Sequence, residues 1–374
     1  MKRTLSELAA AIDLPASPVW GGIHVDRVIE DSRRIEPGDL FVAIAGVNAD
    51  GHDYIGRAIE RGAVAVVAER RSGAGVPELI VPDSRAALAI LAAEMEGRPT
   101  EDLFTVGITG TNGKTTVAHL AAGILGEEGT ELSSTVANES RGLSAVTTPP
   151  APVVQRIARE AADSGKGNLV IEASSIGLEQ RRLAGVDFDV AVFTNLTRDH
   201  LDYHRDMDAY LAAKLILFEG LREDAIAIVN ADDRLAGRVA AATRGRVITY
   251  GIDTDADLRA SKIECLPRAT SFTLEAAEGS IRVTIPLPAE YNVSNALAAA
   301  GVGLAKGIGL DRIGERLAGA RPVPGRYESF RAVTGATVIV DFAHSPDALE
   351  RTLRFLRRDH PRVICVFGLS LIHI

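Results

Sequence analysis

Short, uninterrupted apolar runs alternate along this chain with longer segments whose apolar residues recur at helical spacing. Between about residues 23 and 102 the runs "LFVAIAG" and "AVAVVAE" alternate with the helix-like "YIGRAIERG" and a capped "DSRAALAILAAEM". This predicts a small α/β domain over 1–102, closed by the polar linker "GRPTEDL" with Gly97 and Pro99. From 103 to 325 the runs "FTVGIT", "NLVIEAS", "DVAVFTN" and "DAIAIVNAD" read as strands, with "TVAHLAAGILGEEG" and "AYLAAKLILFEGL" as helices between them. Strands apolar on both faces must be covered on both faces, so the expectation is a doubly wound, mainly parallel sheet of the phosphate-loop ATPase type. A β-rich "SFTLEAAEGSIRVTIPLP", a helical "NVSNALAAAGVGLAKGIG" and a hinge "RPVPGRYE" complete this domain. A Rossmann-like third domain is expected over 326–374, with strand "TVIVDF", helix "SPDALERTLRFLRR" and strand "RVICVFG". One strand-helix-strand unit cannot cover its own sheet, so this domain is expected to be incomplete.

Near the N-terminus Ser6 is placed to cap a short amphipathic helix, and Glu7 and Asp13 interrupt any apolar core of a secretory signal. No apolar run reaches membrane-spanning length. The 374 residues carry a net charge of -9, which gives no general electrostatic reason to bind nucleic acid. Cys265 and Cys365 lie far apart in strand-like stretches, which suits buried thiols in a reducing compartment, and a cytoplasmic protein is expected.

Candidate chemistry begins at "GITGTNGKTT", between an apolar strand and a helix. There, backbone N–H groups and a helix N-terminus can cradle phosphates. Gly110 and Gly113 allow the tight turn, Thr111, Asn112 and Thr116 belong to the same loop, Lys114 reaches toward the β/γ-phosphates, and Thr115 offers a hydroxyl to Mg²⁺. The general phosphate-loop spacing is not met by Gly107, and Gly110 supplies the alternative glycine. A glycine-rich turn with a capping threonine is the bland reading. Ligands of such sheets bind beyond the carboxyl ends of the strands. "NLVIEASS" puts Glu172 there, and "VAVFTNLTRDHLDYH" puts Asn195, Asp199, His200, Asp202 and His204 there. Glu172 and His200 are the metal candidates. For Asp202 and His204 taken singly, solvated loop residues are the better reading. Lys214, within "YLAAKLILF", reads by spacing alone as a lysine whose charged tip reaches solvent from a core helix.

Taken together these residues resemble the Mur ligase family, over about residue 25 to Gly368, and within it the branch that adds a third amino acid to UDP-N-acetylmuramoyl-dipeptide. "DSRRIEPGDLFVAIAGVNADGHDYI" resembles the family's uridine-nucleotide entry, which implies contacts from Ser32, Val47, Asn48 and Ala49. "TTPP", with Thr147 and Thr148, and "EASSIGLEQRRL", with Ser174, Gln180 and Arg182, resemble the positions that hold the muramoyl-dipeptide. The matching family lysine is carbamylated by CO₂, which implies that Lys214 becomes an anion able to help bind a second Mg²⁺ and reverses the reading from spacing. "NVSNALAAA", "VPGRYE" and "VDFAHSPDALE" imply nucleotide contacts from Asn295, Arg326 and Asp341. The chain departs from the family at Ile176, where histidine is frequent, and after "VFG", where "LSLIHI" stands in place of a Cys-Gly-Gly-Asp-Arg-like loop; a C-terminally truncated ligase is therefore expected.

The mechanism implied is activation of the D-glutamyl carboxylate by ATP to an acyl phosphate, followed by attack of an amine. Lys114, Glu172, His200 and carbamylated Lys214 carry it, with Thr115, Glu172, His200 and Lys214 around two Mg²⁺ ions. The amino acid expected is meso-diaminopimelate over L-lysine, and the protein is expected to act as a monomer. Two rivals are the dipeptide-adding ligase of the same family and a fragment that binds nucleotide and UDP substrate without turnover.

Overall fold

The computed structural model describes residues 2–15, 17–18, 20–46, 49–143 and 146–368. It forms two compact units: 1–103 with 149–165 and 177–187, and 104–148 with 166–176 and 188–374.

The first unit contains β1 (Arg3–Thr4), α1 (Leu5–Ala11), β2 (His24–Val25), β3 (Val28–Ile29), β4 (Leu40–Val42), α2 (Ile55–Glu60), β5 (Ala65–Ala68), β6 (Glu78–Ile80) and α3 (Ser84–Met95). Strands β3-β4-β5-β6 pair in that order, all parallel. Leu40, Val42, Ala65 and Val67 pack into one core with Leu5 and Leu8 of α1 and Leu88 and Leu91 of α3. Phe41, Val66 and Ala68 point the other way, against Ile55 and Ala58 of α2. Burial on both faces explains why these strands read as continuous apolar runs. Helix α1 is capped by Thr4 and not by Ser6: Glu7 lies three residues after Thr4 and closes a reciprocal capping box, an arrangement worth about 1 kcal/mol.

The chain continues through β7 (Phe104–Thr109), α4 (Lys114–Leu125), β8 (Thr130–Ser133), α5 (Thr135–Ser140), α6 (Ala151–Asp163), β9 (Asn168–Glu172), α7 (Ser175–Glu179), β10 (Val190–Phe193), α8 (Met207–Glu219), β11 (Ile226–Asn230), α9 (Ala236–Ala242) and β12 (Arg246–Gly251). Then come β13 (Leu258–Leu266), β14 (Ala269–Ala276), β15 (Gly279–Ile285), α10 (Tyr291–Ala305), α11 (Leu310–Ala318), β16 (Glu328–Arg331), β17 (Thr337–Val340) and α12 (Pro346–Asp359). Helix α6 belongs to the first unit and packs on α3. The large sheet runs β15-β14-β13-β12-β11-β10-β7-β9-β8, parallel from β8 to β13, with β14 and β15 added antiparallel. Its core joins Val106 and Ile108 of β7 to Val117 and Leu120 of α4 and to Val293, Leu297 and Val302 of α10. The doubly wound, mainly parallel expectation therefore holds.

Beyond 326 the structure departs from the expected strand-helix-strand unit. Strand β17, from "TVIVDF", pairs antiparallel with β16 as a hairpin, because the tight turn bonded from Ala332 to Ala336, with Gly335 at φ 83°, reverses the chain between them. Helix α12 follows as expected, capped by Ser345 with Pro346 at its first position. "RVICVFG" forms no strand, since no described residue offers it a ladder partner. Cys365 in that run is exposed and Cys265 in β13 is partly buried, so the expectation of two buried strand thiols fails for Cys365.

Candidate active site

Strand β7 has β9 and then β8 on one side and β10 and then β11 on the other, so the chain crosses over β7 between β9 and β10. Loops leaving the carboxyl ends of β7, β9 and β10 diverge, and the crevice between them is where such a sheet binds ligands. Gly110 to Thr116 follows β7, Glu172 ends β9, and Asn195 to His204 follows β10.

The loop needs glycine at two positions. Gly110 has φ 146°, and a Cβ there would lie 1.9 Å from Thr194 Oγ1; Gly113 has φ 88°, and a Cβ would lie 2.4 Å from Asn295 Oδ1. Gly107 lies within β7, outside the loop. Backbone N–H groups of Thr111 and Asn112 donate to Asn195 O (2.8 Å) and Oδ1 (3.0 Å), and Thr194 Oγ1 donates to Asn112 O (2.7 Å). With the loop held from β10, the first N–H groups of α4 lack intrahelical partners and form an anion cradle. Lys114 Nζ donates to the carbonyls of Gly110 (3.0 Å) and Thr111 (2.7 Å), which places its charge over the loop. Gly110→Ala is expected to cost about 3 kcal/mol or more, read as a lower denaturation midpoint; an unchanged midpoint would contradict this loop geometry.

Glu172 is 1% exposed, and its carboxylate accepts from Thr135 N (3.1 Å), from the Thr135 hydroxyl (3.4 Å) and from the Thr115 hydroxyl. Burial pushes this carboxyl up, opposed by Lys114 and Arg326. Arg326 Nη2 donates to Thr115 Oγ1 (2.9 Å), and its guanidinium stacks on Phe342. Burial lowers Lys114, while Glu172 opposes that shift.

Lys214 is 1% exposed and does not reach solvent, contrary to the reading from spacing. Its Nζ donates to Gly110 O (2.8 Å) and sits 4.4 Å from the Tyr210 ring centroid. Burial holds this amine well below the usual lysine range, and the neighbouring Lys114 charge adds to the effect. The Lys214 amine therefore lies against the phosphate loop with burial disfavouring its charged form. Tyr210 OH is 3.2 Å from Thr111 Oγ1, which fixes α8 to the loop a second time.

His200, at φ 51°, is lowered chiefly by burial and further by Lys114 and Lys214, against Asp199. Asp199 Oδ2 lies 3.8 Å from His200 Nε2 and 3.7 Å from His344 Nε2. His204 is 3% exposed, its Nε2 2.9 Å from Ser175 Oγ, so it is a buried structural side chain and not a solvated loop residue. Among the described residues no three His, Cys, Asp or Glu side chains gather into a ready-made metal site. The Thr115 hydroxyl and Glu172 carboxylate, bonded to each other beside the anion cradle, instead match the partial oxygen set that Mg²⁺ completes with phosphate and water.

Thr148 Oγ1 donates to Glu172 O (2.7 Å) and accepts from Ser174 N (2.9 Å), and Thr147 Oγ1 is 3.2 Å from Thr135 Oγ1. Asn295 donates to Asn292 Oδ1 (3.0 Å). Asp341 accepts from the N–H groups of Tyr327 (2.6 Å) and Ala343 (2.8 Å), so its carboxylate braces the turn beside Arg326. In the first unit, Ser32 is buried in a turn capped by Asp31, Ala49 O accepts from Gly46 N (2.9 Å), and Gln180 Oε1 accepts from Arg182. Val47 and Asn48 lie outside the described residues. Sequence reasoning missed Thr135 and Tyr210, which carry no motif of their own, and it inspected Asn195 without its role as the loop's clamp.

Three family models match the chain: "Mur ligase family, catalytic domain" over 24–95, "Mur ligase middle domain" over 108–303 and "Mur ligase, glutamate ligase domain" over 325–371. The UDP-N-acetylmuramoyl-L-alanyl-D-glutamate--2,6-diaminopimelate ligase of Geobacillus thermodenitrificans is 42% identical over 353 residues, covering 90% of this chain and 71% of that protein. The ligase of the same name from Bacillus licheniformis is 41% identical over 338 residues, covering 87% and 69%. A solved structure of a ligase with that name aligns at TM-score 0.81 and 28% identity, covering 96% of this chain and 74% of that one.

Proposed function

The chain belongs to the Mur ligase family, and from that premise we propose that it joins 2,6-diaminopimelate to UDP-N-acetylmuramoyl-L-alanyl-D-glutamate at the expense of ATP. The observation that carries this reading is the convergence of Lys114, Thr115, Glu172, Lys214 and Arg326 on one glycine-built phosphate loop. The names of the relatives support diaminopimelate over L-lysine. The assignment of 1–102 to the uridine nucleotide, 103–325 to ATP and 326–374 to the start of an amino-acid domain is part of the proposal. So is a monomer acting in the cytoplasm; among the described residues no helix is long and apolar enough to cross a membrane.

Amide formation needs a better leaving group than oxide. A D-glutamyl carboxylate oxygen attacks the γ-phosphorus, the bond to the β-phosphate oxygen breaks, and ADP leaves. The amine then attacks the acyl carbon, losing a proton, and phosphate departs. Lys114 and the first turn of α4 offset charge on the transferring group, which is mainly a matter of placement and electrostatics. Thr115 and Glu172 would hold one Mg²⁺, and His200 with carbamylated Lys214 a second; these ions supply charge neutralisation between the phosphates and the acceptor. Arg326, stacked on Phe342, and Asn295 border the nucleotide side, with Asp341 bracing the turn that presents Arg326.

Incubation with ATP, Mg²⁺, the UDP-muramoyl-dipeptide and meso-diaminopimelate is expected to release phosphate and give the tripeptide mass. Product made with D-alanyl-D-alanine instead, or nucleotide binding without phosphate release, would overturn the proposal.

A further inference from the structure

Thr135 belongs to none of the motifs, yet it contacts the buried carboxylate from two sides. It is the first residue of α5, and its backbone N–H donates to Glu172 Oε1 (3.1 Å) while its hydroxyl lies 3.4 Å from Oε2. The same hydroxyl is 3.2 Å from Thr147 Oγ1. A hydroxyl has one proton, and a carboxylate only accepts. The one proton of the Thr135 hydroxyl therefore has two acceptors within reach, Thr147 Oγ1 and Glu172 Oε2, while the Thr135 N–H is committed to Glu172 Oε1. The segment carrying Thr147 is tied to the same strand end a second time, through Thr148 Oγ1 to the Glu172 carbonyl and from Ser174 N to Thr148 Oγ1. Buried Asn138 anchors the segment from its other side, donating to the carbonyls of Val146 (3.4 Å) and Thr147 (3.2 Å).

We propose that Thr135 is a positioning residue that orients the Glu172 carboxylate toward the Thr115 hydroxyl and links it to the Thr147–Thr148 segment. This rests on the reading above, in which Glu172 and Thr115 meet the nucleotide's divalent cation and Thr147 and Thr148 meet the dipeptide. A carboxylate free to rotate about its last bond presents its oxygens to Thr115 for only part of the time. The Thr135 N–H on one oxygen and its hydroxyl within reach of the other restrict that rotation, and the same hydroxyl ties the carboxylate to Thr147.

The test is a titration of Mg²⁺ against binding of a non-hydrolysable ATP analogue in the full chain, for wild type, Thr135→Val and Thr135→Ser. Valine keeps the volume and the N–H donor and removes the hydroxyl; serine restores the hydroxyl. The half-saturating Mg²⁺ concentration is expected to rise about three- to tenfold in Thr135→Val, as for loss of one typical hydrogen bond, and to return near wild type in Thr135→Ser. Analogue binding without Mg²⁺ and the thermal unfolding midpoint are expected to change little, which separates a positioning effect from a folding defect. Wild-type Mg²⁺ dependence with an unchanged Thr135→Val midpoint overturns the role of Thr135. Absence of Mg²⁺-dependent analogue binding in wild type overturns the parent reading instead.

Discussion

Lys114→Ala is expected to lower the rate of phosphate release and tripeptide formation by about a thousandfold, with the apparent affinity for the dipeptide substrate nearly unchanged. The ammonium lies over the Gly110 and Thr111 carbonyls, and in the proposed reaction it would offset the negative charge that develops as the bond to ADP breaks. Removing it takes away an interaction that strengthens toward the transition state, so the loss falls on kcat. A second consequence follows for pH. Burial raises the Glu172 carboxyl, and Lys114 is the largest influence holding it down. Without that cation the carboxyl rises further, and the acid limb of residual Mg²⁺-dependent nucleotide binding moves to higher pH. Retention of normal turnover in Lys114→Ala, in a variant that unfolds like wild type, would remove the phosphate loop from the mechanism.

Much of this arrangement was legible because its signals are local. The strand runs of β7, β9 and β10 are mostly apolar and buried on both faces, so the residues ending them had to lie at one edge of a doubly wound sheet. The glycines at 110 and 113 are required by backbone angles that side chains rarely adopt, and that requirement shows directly as sequence. Other features depend on partners far along the chain and leave no such mark. Thr135 reads as an ordinary position in a polar stretch, because its partner Glu172 is contributed by another strand. His204 reads as a loop histidine, because Ser175, which buries it, follows a different strand. Helix α6 was absorbed into the central domain by its place in the sequence, whereas it packs on α3 of the first unit. The β16–β17 hairpin shows the converse: a local turn at Ala332–Ala336 overrides an apolar run that resembles the start of a parallel sheet.

Lys214 is where spacing and environment disagree most, and the disagreement bears on chemistry. Tyr210, one helical turn earlier, binds Thr111 through its hydroxyl, and Lys214 Nζ binds Gly110 O, so this face of α8 is fixed to the phosphate loop. A lysine of ordinary basicity is protonated at neutral pH and cannot attack CO₂. Burial and the adjacent Lys114 charge lower Lys214, which favours the free base that carbamylation needs. Carbamylation would put an anion beside Lys114 in place of an amine whose charged form is costly to bury, and its remaining N–H could still donate to Gly110 O. Enzyme supplied with ¹³C-labelled bicarbonate is therefore expected to show a carbamate carbon resonance that is absent in Lys214→Ala and Lys214→Arg. Ligation is expected to fall about a hundredfold or more in both variants, since each lacks the anionic ligand. The pH dependence has a definite sign: as pH falls the amine is protonated, the carbamate is lost and activity declines, more steeply in CO₂-depleted buffer. Arginine keeps a positive charge at this position, so an active Lys214→Arg enzyme would show that charge, and not the carbamate, is what the loop requires.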